Sequence, residues 1–364
     1  MQHFPGRCRV RKIGWRLVSR GFTEKELIET LLAGYRSAAP LLGPGDDAGM
    51  LSVPDGRLVT TVDTITEDQD FRRVWPCGYR TTGYDVGWKS VAQNLSDINA
   101  MGARPTGIVT SLSLPAEIDL GWVASFAAGV SDSIEQLGAH DCAIIGGDVG
   151  RGREISVTTT AFGSLDGGEP VLRSGARPGD ILAVCGVLGQ AAAGVDVLEQ
   201  ATSRSEIQTM PVGDFPSEWP EDVRSAVLGQ LRPRPRIGAG AVARASGAHA
   251  MLDLSDGLVR DAERIADASG VSIRLESASL EHELRKLHEA AGSTGVDPWK
   301  WVLTGGEGFA LFAAFDADAD LPEDWCFVGR AEPGEAEVRI DERFARDWLA
   351  ENIGQASSGW DPFR

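Results

Sequence analysis

The stretch GYDVGWKSVAQNLSDINAMGA (Gly83–Ala103) decides the fold. Its apolar residues recur near helical spacing and it ends at Gly102, so it predicts a helix with Asp97 facing inward. The next segment, PTGIVTSLSLP (Pro105–Pro115), has strand character. The alternation continues with a predicted helix over 121–139, a buried strand that runs into a glycine turn over 142–152, and a strand over 154–165. We therefore predict an α/β (α+β) fold.

The same patterns extend to both sides of this stretch. TEKELIETLLAGY (Thr23–Tyr35) predicts a helix with a Thr-x-x-Glu capping box, and RLVTTVDTI (57–65) a strand. Further along, RSGARPGDILAVCG (173–186) predicts a turn that introduces a strand. A strand or loop feeding a helix is expected over 249–270, and WVLTGGEGFALFAAF (301–315) reads as strand, glycine turn and strand.

These segments divide the chain into two units. We predict an N-terminal domain over 23–168 and a C-terminal domain over 169–364, with a proline-rich surface loop near 202–222. The first 22 residues stand apart, because the opening twenty hold six Lys or Arg and no acid. They are interpreted as a disordered extension or a misplaced start, with a targeting or interaction arm as the alternative.

Composition excludes several classes of protein. The formal net charge of −18 argues against nonspecific binding to nucleic acid or anionic lipid, which requires Lys and Arg clusters. No apolar run reaches the ~18 residues of a membrane helix, and no signal core precedes a cleavage site, so a soluble, cytoplasmic protein without membrane association is expected. An acidic protein can still bind phosphates when divalent cations stand between them.

Common motifs for other chemistries are missing from the sequence. The five cysteines are scattered without a C-x-x-C pair, and the five histidines lack H-E-x-x-H spacing, so neither a disulfide framework nor a zinc site is indicated. The segment GYDVGWKS fails as a phosphate-binding P-loop because Trp88 separates Gly87 from Lys89. A dinucleotide-binding glycine fingerprint is also lacking.

Carboxylates beside glycine or small residues recur at the ends of apolar segments. Asp97 and Asp253 lie among apolar neighbours, where an ionised carboxylate is costly unless a cation pairs with it. Several oxygen ligands are what Mg²⁺ requires. The segments concerned are Gly45–Ala48, Thr61–Asp63, Asn94–Asp97, Gly146–Asp148, Asp253–Gly257 and Gly305–Gly308.

Seven ordered motifs resemble the thiamine-monophosphate kinase family, within the superfamily of aminoimidazole ribonucleotide synthetase and selenophosphate synthetase. The resemblance spans roughly Glu24 to the C-terminus. The motifs are GPGDDAGML, TTVDTITEDQDF, KSVAQNLSDINAMGARP, IIGGDVGRG, LRSGARPGD, LDLSDGL and LTGGEGFALF.

The resemblance implies ATP-dependent phosphorylation of thiamine monophosphate to thiamine diphosphate, in a cleft between two α/β domains lined by several Mg²⁺ ions. It also implies a homodimer formed by pairing the N-terminal sheets. The implied metal ligands are Asp47, Thr61, Val62 through its carbonyl, Asp63, Asp97, Asp148, Asp253 and Asp256. The implied ATP-binding residues are Gly147, Asp148, Arg173 and Ser255, the substrate-binding residues Asp70, Glu307 and Trp360, and the catalytic residues Asp148, Asp256 and Arg173.

The residue types suit this chemistry. The acceptor is a phosphate oxygen, already largely ionised because its second pKa is about 6, so no general base is required. Arg173 can clamp a phosphate in bidentate fashion, with a surface salt bridge as the alternative. Lys89 could touch phosphate or cap a helix, and Trp360 could stack on thiamine or be an exposed tail residue.

Three positions depart from the family pattern. Asp70 replaces the usual histidine before Phe71, Val149 replaces a threonine, and Gly308-Phe309-Ala310 replaces Asp-Tyr-Glu. Two alternatives therefore stay open. One is a sister ATP-dependent enzyme acting on another acceptor, and the other is a binding protein that holds thiamine phosphates or nucleotide without turnover.

Overall fold

Two β-sheets organise the computed structural model of the protein, which describes residues 23–44, 50–200, 215, 219–355 and 357–360. The predicted basic extension over 1–22 and most of the proline-rich loop near 202–222 lie outside the described residues. None of the described helices combines the length and apolar character needed to cross a bilayer.

The first sheet has four strands in the order β1-β4-β2-β3. The β1–β4 and β4–β2 pairs are antiparallel, whereas β2 and β3 are parallel. The elements of this half are α1 (Glu24–Gly34), β1 (Val59–Thr66), α2 (Gly83–Ala100), β2 (Arg104–Leu114), α3 (Leu120–Gln136), β3 (Ala143–Arg151) and β4 (Ser156–Ser164).

Among the residues that the structure describes, helices cover one face of this sheet and leave the other open. On the covered face, Thr110 and Thr159 are buried beneath α2, and the hydrophobic core continues through α2 and α3. On the opposite face the strand residues are exposed or half-buried, and the Val62 side chain is 59% exposed. We call this surface the open face, marked by Val62, Thr64, Thr158 and Ser111.

The second sheet has seven strands in the order β11-β10-β7-β9-β5-β8-β6. Its core is formed by a separate set of buried residues, into which Trp75 and Tyr79 also pack from the first half. The elements are β5 (Ile181–Cys185), α4 (Gln190–Leu198), α5 (Glu221–Leu231), α6 (Ala239–Ala245), β6 (Ala250–Asp253), α7 (Leu258–Ser269), β7 (Ser272–Leu275), α8 (Ser277–Lys286), α9 (His288–Thr294), α10 (Pro298–Thr304), β8 (Leu311–Phe315), β9 (Trp325–Glu332), β10 (Glu337–Ile340), β11 (Arg343–Phe344) and α11 (Ala345–Ile353).

A segment after α5, residues 232–240, joins the two halves; we call it the junction segment. Its first arginine forms an ion pair with the buried Asp85 at 2.6 Å. The Trp88 indole N–H donates to the Pro233 carbonyl at 2.8 Å. Asn99 Oδ1 accepts two backbone N–H groups of the segment, at 3.0 and 2.9 Å. Since Asp85, Trp88 and Asn99 all belong to α2, this helix is held along its length by the C-terminal half.

Most element predictions are confirmed, including the Thr23 capping box, in which both hydrogen bonds are present. The prediction for Trp301–Thr304 is wrong, because this run is the end of helix α10 and not a strand. The Asp297 side chain accepts the Trp299 N–H and Pro298 occupies the first helical position, both of which are helix-start signals. A short apolar run cannot by itself distinguish strand from buried helix.

The glycine-rich stretch after Ile145 also differs from expectation. It continues as part of β3 to Arg151 instead of forming a turn, since it pairs in register with β2 through Leu114. The predicted domain boundary at 168/169 falls in the connection between β4 and β5, and it stays a prediction.

Candidate active site

A cavity of about 1000 Å³ lies where the two halves meet. It is lined from the first half by β1, α2 and the loop after β1, and from the second half by the loops after β6 and α10. Of the residues predicted for the site, those that line it are Asp63, Asp70, Asp97, Asp253, Ser255, Asp256, Glu307 and Trp360.

Two carboxylates face each other on the first wall. Asp63 extends from β1 and Asp97 from the neighbouring turn of α2, and Thr61 Oγ1 donates to Asp97 Oδ2 at 2.6 Å. Burial and then the charge of Asp97 raise the pKa of Asp63 to about 7. Thr61 itself is held in the carboxylate network but does not line the cavity.

The second wall brings a third carboxylate to this pair. Asp253, at the end of β6, is buried and accepts a 2.7 Å hydrogen bond from Ser96 Oγ. Burial and then the charge of Asp97 raise the pKa of Asp253 to about 7. The motifs KSVAQNLSDINAMGARP and LDLSDGL therefore meet, because Ser96 of the first contacts Asp253 of the second.

This arrangement fits a hard divalent cation. Asp63, Asp97 and Asp253 are acidic oxygen donors whose mutual repulsion raises the pKa of two of them, and a cation between them would remove that repulsion. Their ligand oxygens are nevertheless not close enough to form one tight group.

A tighter group in the described part of the chain is Asp180, His249 and Asp316. It lies away from the cavity, and the Arg177 guanidinium stands 3.3 Å from His249 Nε2. The Arg177 backbone N–H also donates to Asp180 Oδ2 at 2.8 Å, and His249 Nδ1 lies 2.9 Å from the same oxygen. Because its members already bond to one another, we interpret the group as a hydrogen-bond network.

Asp256 has a cationic partner of its own. Arg264 bridges the Asp256 and Asp261 carboxylates through its two terminal nitrogens. Asp261 is fully buried and also accepts the Asp256 N–H at 3.0 Å. The loop after β6 is therefore braced from α7, and Arg264 adds positive charge to the cavity wall.

The Gly-Gly-Glu loop before β8 presents Glu307 in an unusual backbone conformation. Its φ of 61° lies in the left-handed region, which costs energy for a residue other than glycine. A Cβ on Gly306 would stand 2.3 Å from the Ser255 carbonyl oxygen, so this close approach requires glycine. Lys89, buried on α2, reaches Glu307 Oε1 at 2.8 Å and the Asp70 carbonyl at 2.9 Å. Lys89 thus supports the cavity wall from within α2 and caps no helix.

The remaining substrate-side residues are Asp70 and Trp360. Asp70 Oδ2 accepts the Thr66 N–H at 2.7 Å, and burial raises the pKa of Asp70. Trp360 lines the cavity and is 62% exposed, and its backbone N–H donates to the Asp256 carbonyl at 2.9 Å. The backbone that carries the exposed indole is therefore tied to the loop that carries Asp256.

Several predicted site residues do not line the cavity. Asp148 is exposed on edge strand β3, three strands from Asp63, roughly 14 Å at the usual strand spacing. Its register partner Ser111 places it on the open face, whereas Asp63 is on the covered face. Gly147 precedes it on the same edge strand, and the Val62 side chain also points to the open face.

Two further predicted residues have other surroundings. Arg173 is exposed in the connection before β5, and its guanidinium has no hydrogen-bond partner among the described residues. It is nevertheless close enough that its charge opposes the rise in the pKa of Asp253. Asp47 lies outside the described residues.

The sequence reasoning missed Gln230 and Arg264, both of which line the cavity. Gln230 Nε2 donates to Glu307 Oε2 at 2.8 Å from α5, which the sequence does not place near Glu307. For Arg264 a signal was present, because it lies three residues after Asp261 on a predicted helix, which puts the two on one face.

Comparisons with known proteins agree with this architecture. A family model described as "AIR synthase related protein, N-terminal domain" matches residues 45–165. The chain is 40% identical over 341 residues to a protein of Mycobacterium tuberculosis (strain CDC 1551 / Oshkosh) named thiamine-monophosphate kinase, covering 93% of this chain and 91% of that protein.

Solved structures give the same result. A thiamine-monophosphate kinase from Stenotrophomonas maltophilia K279a superposes with a TM-score of 0.70 at 34% identity, covering 88% of this chain and 98% of that one. The complex of AaThiL with AMPPCP and TMP has a TM-score of 0.67 at 28% identity, covering 90% and 97%.

Proposed function

The chain belongs to the thiamine-monophosphate kinase family, and from that premise we propose that it transfers the γ-phosphoryl group of ATP to thiamine monophosphate, yielding thiamine diphosphate and ADP. The observation that carries the proposal is the convergence of Asp63, Asp97 and Asp253 from two halves of the chain on one cavity. Such crowded carboxylates suit a site that handles polyphosphate with divalent cations.

Mg²⁺ is the cation that this oxygen-rich set favours. We assign Asp63, Asp97 and Asp253 as ligands on the evidence of their shared position, and Asp256 next to them. Thr61, Val62, Asp47 and Asp148 stay ligand assignments from the family pattern. Bound Mg²⁺ would neutralise the repulsion between two polyanionic substrates.

The chain's own residues position the reaction. Ser255, on the loop braced by Arg264, faces the cavity and is assigned to the ATP phosphates. Arg173, Gly147 and Asp148 are assigned to ATP from the family pattern. The acceptor oxygen carries no proton that must be removed near neutral pH, so direct in-line attack needs positioning and not a base.

The thiamine part of the acceptor is assigned to the end of the cavity that holds Asp70, Glu307 and Trp360. Glu307 is fixed by Lys89, and Asp70 is fixed by the Thr66 N–H. The exposed Trp360 indole offers a flat apolar surface for a cationic heteroaromatic ring.

We further infer a homodimer formed through the open face. Helices cover the opposite face, and the exposed Val62 leaves an apolar side chain on a sheet that has no cover in the described part of the chain. Asp148 lies on this face, so a second copy would also surround that residue.

The test is incubation of the purified protein with ATP, Mg²⁺ and thiamine monophosphate, with thiamine diphosphate and ADP measured by chromatography. Formation of both in equal amounts is the expected result. Binding of both substrates without product would support the binding protein, and turnover of another phosphate acceptor would support the sister enzyme; either result would overturn the proposal.

A further inference from the structure

One wall of the cavity contains Gln230 and Glu307, two polar side chains that are bonded to each other. The Glu307 carboxylate receives Lys89 Nζ on one oxygen and Gln230 Nε2 on the other, both at 2.8 Å. The Gln230 side chain is only 3% exposed, and its Oε1 has no hydrogen-bond partner. Within the described residues, then, the Gln230 amide nitrogen is hydrogen-bonded and the amide oxygen is unpaired.

The orientation of the amide follows from chemistry. A flipped Gln230 would place its carbonyl against the Glu307 carboxylate, and two acceptors repel each other. Nε2 must therefore face Glu307, and Oε1 must point elsewhere. A buried acceptor left unpaired lowers stability, so native proteins usually supply a partner.

The partner is a donor that the described residues do not provide. Gln230 lines the large cavity and also a small void of about 10 Å³ that it shares with Asp70 and Lys89. That void is near the smallest size that holds one water molecule. A ligand bound in the large cavity is the other possible source of the missing donor.

We propose that Gln230 is a specificity-determining residue whose Oε1 accepts an N–H from the exocyclic amino group of the aminopyrimidine ring of thiamine monophosphate. This inference rests on the proposed function. That amino group is the one N–H donor in the thiamine portion, since the thiazolium has none. It would face an acceptor wall made of Gln230 and Glu307, at the end of the cavity assigned to thiamine.

The test compares thiamine monophosphate with oxythiamine monophosphate, in which an oxo group replaces the amino group. The wild type should prefer the amino form in kcat/KM and in Kd measured calorimetrically without ATP. Gln230→Met keeps the length and removes the acceptor, so the preference should fall at least about tenfold, mainly through KM for the thiamine substrate. The KM for ATP should stay unchanged.

A matched control is Gln200→Met, which removes a glutamine bonded to the Ser293 carbonyl outside the cavity. It should keep the wild-type preference. If the melting temperature of Gln230→Met differs from that of the wild type, Gln230→Leu is used as the test variant instead.

The outcomes distinguish a failure of the proposed function from a failure of the role assigned to Gln230. A wild type that neither binds nor phosphorylates thiamine monophosphate overturns the proposed function. A wild type that does so, with the same preference in Gln230→Met, overturns only the role of Gln230 and assigns its partner to a water in the void. A rise in the KM for ATP alone would mean that the donor is the adenine amino group, which also overturns it.

Discussion

At the residue scale, the main feature of the candidate site is a set of acidic side chains held close together. Asp97 lies between Asp63 and Asp253 and raises the pKa of both. In a folded protein such repulsion lowers stability, whereas in a cation site it provides affinity. The same three residues can therefore oppose folding without metal and support function with it.

Asp97→Asn should separate these two effects. The neutral amide keeps an acceptor for Thr61 and removes one charge, so the metal-free protein should gain about 1 kcal/mol of stability. Activity should fall roughly 100-fold or more through loss of a ligand, and added Mg²⁺ should raise the melting temperature less than in the wild type.

The measurements are thermal melts with EDTA and with Mg²⁺, together with kcat/KM. Asp318→Asn, at an exposed position outside the cavity, is the control and should change neither. Wild-type dependence on Mg²⁺ in Asp97→Asn would remove Asp97 from the ligand set.

The pH dependence of stability follows from the raised pKa values. Asp63 and Asp253 shift from 3.8 to about 7 on folding, so between these values the native state binds more protons than the unfolded state. Their contribution to the free energy of unfolding is therefore present at low pH and is lost as pH rises toward 7. In EDTA, urea unfolding should give a stability that falls from pH 5 to pH 8, and Asp253→Asn should reduce the fall. A curve that rises through this window in the wild type would contradict the assignment.

At the scale of elements, sequence patterns predicted the helices whose formation depends on nearby residues. The helix carrying Asp97 was predictable from its apolar spacing, and α1 from its capping box. The run before Gly305 was misread because three apolar residues and a threonine are too few to show a period, and the decisive N-cap, Asp297, lies just before the run.

The candidate site was predictable only in part, for a related reason. Carboxylates beside glycines marked Asp97 and Asp253, and the structure brings both to the cavity. The contacts of Lys89 and Gln230 with Glu307 join α2, α5 and the loop before β8. No single-sequence pattern records such distant pairings, and Asp148, marked by the same rule, lies on another face.

The C-terminal segment should contribute affinity for the acceptor. Trp360→Ala removes the exposed ring and leaves the backbone bond to Asp256. We expect the KM for thiamine monophosphate to rise about fivefold to twentyfold, as for loss of a cation–π contact, while the KM for ATP stays constant. Steady-state kinetics with each substrate varied in turn would measure this. Phe344→Ala, at an exposed aromatic on β11, is the control, and an equal effect there would refute a specific role for Trp360.

At the scale of the whole molecule, the family was identifiable from the order of the motifs, and the comparisons confirm it. The α/β fold with two sheets is confirmed as well. How copies of the chain associate depends on a surface and not on a motif, so it stays a prediction.

Val62→Lys tests the association. A charge at Val62, on edge strand β1 of the open face, should convert a dimer into a monomer, because burying an unpaired lysine in an interface is costly. Light scattering after size-exclusion chromatography should give twice the chain mass for the wild type and the chain mass for the variant. Val242→Lys, on an exposed residue of α6, should stay dimeric. A monomeric wild type would contradict the proposed homodimer.

The junction segment has a consequence for the kinetics of ligand association. Because it fixes α2 against the C-terminal half through Asp85, Trp88 and Asn99, we expect the two walls of the cavity to keep their separation when a ligand binds. Substrate arrival then needs no hinge rotation. The observed association rate should rise in proportion to ligand concentration, with no plateau from a slow closing step.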